Sequence, residues 1–135
     1  MLKEDNLTEL IKEMNPVLNK HEYVFCCVDS LKNISRKHIL CEFKEEEGTT
    51  IVIKREKADQ YGLPYSYIAS WITLKVFSSL NAVGLTAIIS TALAEKRISC
   101  NIIAGYHHDH IFVDKEYGQK AIDTLIELSK NYNTN

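Results

Sequence analysis

The C-terminal half of the chain carries the pattern that most restricts its fold. From Trp71 to Phe77, apolar and polar side chains alternate, which predicts a strand with one buried face. A helix is predicted next by apolar residues at helical spacing, namely Leu85, Ile88, Ile89, Ala92 and Leu93. Two strands, Ile98 to Gly105 and His107 to Val113, and a last helix around Leu125 complete a β-α-β-β-α order. This order packs as an antiparallel sheet with its helices on one face.

The N-terminal half predicts the order α-β-β-β-α. Asn6 and Glu9 have the spacing of a capping box, and the helix that follows is expected to end at Asn15-Pro16. Three strands are predicted at Glu22 to Val28, His38 to Phe43 and Thr49 to Lys54, followed by a short helix from Lys57 to Tyr61. The first strand is apolar on both faces, so both faces are expected to be covered.

Two small modules follow from these patterns. The sequence changes character between Gly62 and Ser66, which places the expected boundary between residues 1–64 and 65–135. Neither half is large enough to cover both faces of its own sheet. The predicted fold is therefore α+β, with two ferredoxin-like modules, antiparallel sheets with helices on one face, and strands that the modules share or exchange.

Composition narrows the function classes. The formal net charge is −2, which gives no reason to expect the basic face that a nucleic-acid backbone requires. The charged start of the chain argues against a secretory signal, and no apolar stretch approaches the roughly 20 residues that span a bilayer. We therefore expect a cytoplasmic protein that binds neither nucleic acid nor membrane. Its four cysteines, Cys26, Cys27, Cys41 and Cys100, are expected to be reduced core residues.

Specific residues resemble a known family. The stretch from Ser70 to Thr86, continued from Cys100 to Val113, resembles an uncharacterised bacterial family of ACT-domain proteins. It is also similar to the ACT modules of aspartate kinases and of eukaryotic arginine sensors. The turn Glu47-Gly48-Thr49 and the segment around Ala58 are similar to the N-terminal module of that family. The resemblance implies tandem ACT modules that sense a small amino acid or related carboxylate and regulate another chain, without an enzyme activity or a cofactor.

A ligand site is implied at the turn between the first strand and the first helix of the C-terminal module. A helix N-terminus offers backbone N–H groups and a partial positive charge to a carboxylate. The expected ligand-binding residues are Ser78, Ser79, Leu80, Asn81, Ala82, Val83, Gly84, Leu85 and Thr86, with Asn101 from the strand taken to be adjacent.

Asn81 and Gly84 have two interpretations. In the functional one, Asn81 helps to select the ligand and Gly84 lets it approach the backbone, so that Gly84→Val would block binding and leave the fold largely intact. In the structural one, Asn81 only caps the helix and Gly84 is only a packing glycine. The residues alone leave both open.

The run Tyr106-His107-His108-Asp109-His110 suggests a competing function. On a strand, His108 and His110 would project from one face, and two histidines can hold part of a metal shell. A zinc site needs three or four ligands, and the sequence places no third ligand nearby. We therefore predict no bound metal, and the alternative is a metal-binding protein or metal-assisted hydrolase that uses His107 to His110. Exposed sheet edges further predict a homodimer.

Overall fold

The computed structural model describes residues 6–76 and 80–132. Their order confirms the predicted alternation of helices and strands. In chain order the elements are α1 (Leu7–Lys12), β1 (Pro16–Val28), β2 (Ile39–Glu45), β3 (Gly48–Lys54), α2 (Arg55–Tyr61), β4 (Ile68–Leu74), α3 (Leu85–Glu95), β5 (Cys100–Ala104), β6 (Asp109–Asp114) and α4 (Gly118–Asn131). Short 3-10 turns at Arg36–His38 and Lys115–Tyr117 precede β2 and α4. The fold is the predicted α+β mixture, an antiparallel sheet with helices.

The chain forms two compact units. The first combines the described residues up to Asn19 with those from Ser70 onward, and the second is Lys20–Ala69. This division is spatial, so the module boundary between residues 64 and 65 and the exchange of strands stay predictions.

In the first unit, three helices cover one face of a sheet with the strand order β1-β4-β6-β5, to which β1 contributes its first residues. Asn6 caps α1 as predicted, because its side chain accepts a hydrogen bond of 3.1 Å from the Glu9 N–H. The core that joins α1, α3 and α4 to β4 and β6 consists of Leu10, Ile11, Met14, Ile72, Leu74, Val76, Leu85, Ile89, Leu93, Ile98, Ile111, Val113, Ala121, Ile122 and Leu125. The apolar face of β4 therefore packs under α3, which confirms the expectation of helices on one face of this sheet.

The second unit is an antiparallel sheet in the order β2-β3-β1, with α2 packed through Ala58. The β2–β3 hairpin confirms the predicted turn, since Glu45 pairs with Gly48. Gly48 has a φ of +149°, and a Cβ there would lie 2.8 Å from the Cys27 Sγ. A β-bulge interrupts the register between Ile39 and Cys41. The core of this unit consists of Val24, Cys26, Val28, Ile34, Ile51, Ile53 and Ala58.

The structure corrects two predictions about burial and extent. The cysteines are free, but Cys26 is buried, Cys27 is exposed, and the other two are half-buried. Because Cys27 is exposed and Phe25 half-buried, the second face of β1 is not fully covered. Two strands also begin earlier than predicted: β1 at Pro16, since proline is tolerated at the first residue of a strand, and β4 at Ile68. Phe77, the predicted end of β4, lies outside the described residues.

Candidate functional site

The N-terminus of α3 is formed by a glycine. Gly84 is the N-cap, with a left-handed φ of +100°, and no described side chain caps this end. The first helical hydrogen bond joins the Ile88 N–H to the Gly84 carbonyl oxygen at 3.0 Å. The N–H groups of Leu85, Thr86 and Ala87 therefore have no partner within the helix. The predicted cap at Asn81 is wrong, because α3 begins four residues later and Asn81 lies in the preceding turn.

Gly84 also has a packing role. A Cβ at this position would lie 3.1 Å from the Leu7 Cδ2 of α1. This distance is shorter than an ordinary van der Waals contact, so the glycine allows α1 and the start of α3 to approach each other. The structural interpretation of Gly84 is thus supported, and it does not conflict with a ligand on the outer side of the same turn.

The surface around this helix end is accessible and mixed in character. The side chains of Leu80 and Val83 are 64% and 85% exposed, and Asn81 and Thr86 are exposed as well. Leu85 is buried in the core, and Ala82 packs against the same core, so these two side chains anchor the turn to the core. Ser78 and Ser79, which were predicted to contact the ligand, lie outside the described residues.

Asn101 lies elsewhere in the first unit. It is on β5, opposite Phe112 of β6, and β6 lies between β4 and β5. The predicted adjacency of its strand to β4 is therefore wrong. Cys100 and Ile102 pack against the core below the helices, so Asn101 is exposed on the opposite face of the sheet. The structure does not bring Asn101 to the start of α3, and its contact with a ligand stays a prediction.

In the histidine run, His110 contacts Trp71 of β4. The Trp71 Nε1–H donates a hydrogen bond of 3.1 Å to the His110 Nδ1, and the Trp71 ring stacks on Phe112 with centroids 6.4 Å apart. Burial lowers the pKa of His110, the nearby His108 lowers it further, and Asp109 opposes both. A neutral His110 is consistent with its role as an acceptor.

His108 lies one residue before the strand that carries His110. His108 belongs to the turn before β6, where its carbonyl oxygen accepts from the Gly105 N–H at 2.9 Å, and β6 begins only at Asp109. Asp109 is buried on the same strand face as Ile111, so its side chain points away from that of His110. Within residues 6–76 and 80–132, no three His, Cys, Asp or Glu side chains are grouped as metal ligands.

A basic cavity in the second unit was not predicted from the sequence. It has a volume of about 220 Å³ and lies where the 3-10 turn before β2 meets the end of β3 and the start of α2. It is lined by Tyr23, Lys37, His38, Ile39, Leu40, Lys54 and Lys57. The sequence offers one indication of this cavity, the basic segment that ends at Lys37 before β2. Lys54 and Lys57 lie at the end of β3 and in α2, so no local pattern joins them to that segment.

None of the helices in the described part of the chain is both long enough and apolar enough to span a membrane. Two family models, each described as an ACT domain, match the chain at residues 3–70 and 66–127. No curated protein matches the chain.

Three solved structures are similar to the chain. VC0802 from Vibrio cholerae, described as a protein of unknown function and possible transport protein, is 48% identical, with a TM-score of 0.82; the match covers 91% of this chain and 95% of that one. The aspartokinase alpha and beta subunits are 16% identical, with a TM-score of 0.59 and coverages of 85% and 97%. The ligand-free regulatory subunit of aspartate kinase from Thermus thermophilus is 8% identical, with a TM-score of 0.60 and coverages of 84% and 95%. At these low identities, the two kinase structures show a shared fold alone.

Proposed function

The chain belongs to the ACT-domain family, and from this membership we propose that it is a cytoplasmic regulatory protein that binds a free amino acid or a related small carboxylate. The observation that carries the proposal is the tandem match of two ACT domains over nearly the whole chain. The family supports a regulatory, ligand-binding role, and the fold shared with a regulatory subunit of aspartate kinase is consistent with it. The protein would act on a separate regulated partner and would not catalyse a reaction itself.

The ligand is proposed to bind beside residues 78–86. Its carboxylate would accept hydrogen bonds from the N–H groups of Leu85, Thr86 and Ala87, where the helix end carries partial positive charge. The exposed side chain of Asn81 is close in sequence to this end and would supply a neutral hydrogen bond. Carbonyl groups of the same loop would accept from the amino group. One side of Gly84, the N-cap, is filled by Leu7. The ligand would therefore approach the backbone from the solvent-exposed side, next to Val83.

A thermal-shift screen with the common amino acids tests this proposal. At a ligand concentration about 100 times the dissociation constant, binding stabilises the folded state by about 2.7 kcal/mol. The melting temperature should therefore rise by about 5 °C or more for at least one amino acid. Val83→Asp should remove this rise, because its carboxylate would repel that of the ligand. The same substitution should not destabilise the unliganded protein, since Val83 is exposed and a negative charge near a helix N-terminus is favourable.

Val83→Asn is the matched control, because it has the shape of the aspartate variant without its charge. It should retain most of the rise. If no amino acid at millimolar concentration shifts the melting temperature of the wild-type protein, the amino-acid proposal fails. Parallel samples with added zinc or with a chelator test the alternative of a metal-binding protein. That alternative gains support only if the chelator lowers the melting temperature of protein purified without added metal.

We also propose that the protein is a homodimer. Each unit has a strand at the end of its sheet, β2 in one and β5 in the other, whose outer backbone groups can pair with a second copy. Light scattering should give a mass about twice the 15.5 kDa of one chain. The mass of a single chain at tens of micromolar would contradict the dimer.

A further inference from the structure

The basic cavity of the second unit has an unbalanced charge. Three of its lining residues are lysines, Lys37, Lys54 and Lys57, and none of its described lining residues carries a carboxylate. Elsewhere in the same unit the arginines are paired, Arg36 with Glu42 and Arg55 with Glu22. In the part of the chain that the structure describes, none of the three lysines forms an ion pair. Folding therefore gathers three cations around one cavity whose described lining carries no carboxylate, and Lys54 alone also faces a neighbouring cavity that is lined by Glu22, Glu56 and Asp59.

His38 adds a directional hydrogen-bond donor to the same cavity. The Tyr61 hydroxyl oxygen lies 2.6 Å from the His38 Nδ1 and accepts from the Ser35 N–H at 3.2 Å. This geometry fits a hydroxyl that donates its proton to Nδ1, which leaves the proton of the neutral ring on Nε2. Burial lowers the pKa of His38, and the three lysines lower it further, so the neutral ring is favoured.

We propose that this cavity binds a small anion of the phosphate class, either inorganic phosphate or the phosphoryl group of a small monoester. Lysines bind phosphate as point charges, and a phosphate oxygen can accept from the His38 Nε2–H. A single carboxylate would offset one cation and leave two in repulsion, whereas a phosphate dianion offsets most of the charge. The volume of about 220 Å³ is below the 300–1,000 Å³ typical of larger ligands, which favours a compact anion.

Isothermal titration calorimetry of the full chain with inorganic phosphate tests the proposal. Sodium chloride at the same ionic strength controls for screening of surface charge. Lys57→Gln and Lys54→Gln should each weaken phosphate binding about tenfold, since a charge-assisted hydrogen bond contributes about that factor. Lys44→Gln is the matched control, because it removes the same charge from an exposed residue of β2 outside the cavity. It should change the affinity by less than about twofold.

A parallel titration with glycerol phosphate separates the two sources of the anion. Tighter binding than inorganic phosphate would identify a monoester as the preferred ligand, and weaker binding would identify the free ion. Nuclear magnetic resonance of the His38 ring gives a second readout. Bound phosphate should raise the pKa of His38, because the anion offsets the three lysines.

The proposal is overturned if phosphate produces no more heat than chloride, or if Lys44→Gln loses as much affinity as Lys57→Gln. An unchanged pKa of His38 at saturating phosphate would overturn it equally. The result is independent of the amino-acid site, which lies in the other unit. Val83→Asp should therefore bind phosphate normally, and failure of one proposal leaves the other standing.

Discussion

Replacing Leu93 with alanine should lower the free energy of unfolding by about 2 to 5 kcal/mol. Leu93 is fully buried in α3 and belongs to the core that joins three helices to β4 and β6. Its truncation removes apolar contacts and leaves a cavity that a close-packed core closes only in part. Chemical denaturation followed by circular dichroism measures the loss directly.

Leu80→Ala provides the control for this measurement. The chemical change is identical, but the side chain of Leu80 is 64% exposed in the turn before α3. Its truncation should change the free energy of unfolding by less than about 0.5 kcal/mol. Equal losses at the two positions would show that α3 does not pack against the sheet as described.

The core of the C-terminal half could be predicted because its pattern is local. Alternation at Ile72, Leu74 and Val76 fixes which face of β4 is buried, and the spacing of Leu85, Ile89 and Leu93 fixes the buried face of α3. Each element has one apolar face, so the faces must meet. The partner of α1 could not be predicted in this way. An apolar helix face must be buried, but its sequence does not specify which segment packs against it. In the structure, α1 packs with α3 and α4.

The details of the candidate sites depend on geometry that no local pattern encodes. Asn81 is a good N-cap residue by type, but the helix begins after the left-handed Gly84 instead. Asn101 was expected near the helix start, and only the strand order shows that β6 separates its strand from β4. Lys37 and Lys57 are far apart in sequence and line one cavity because the β2–β3 hairpin and α2 bring their elements together. Sequence reasoning finds residue types, and topology decides which of them meet.

Gly84→Val should lower the free energy of unfolding by about 3 kcal/mol or more, which corrects the expectation that this change leaves the fold intact. The backbone of residue 84 has a φ of +100°, and a β-branched residue in that region is strained by about 1 to 3 kcal/mol. The new side chain would also crowd the Leu7 Cδ2, which lies 3.1 Å from the position of its Cβ. Overpacking of this kind adds about 1 to 3 kcal/mol.

Gly62→Val separates the two causes, because Gly62 also has a positive φ, +69°, but no atom lies within 4 Å of an added Cβ. It should therefore show the backbone strain without the crowding, a loss of about 1 to 2 kcal/mol. The double variant Leu7→Ala/Gly84→Val should lose about 1 kcal/mol less stability than the sum of the losses of the two single variants, since Leu7→Ala removes the crowded methyl groups. Equal losses for the two glycine variants, with no coupling to Leu7, would contradict the packing role of Gly84. Because Gly84→Val disturbs the junction of α1 and α3, a loss of ligand binding in that variant would say nothing about the site, whereas Val83→Asp changes an exposed side chain and leaves that junction intact.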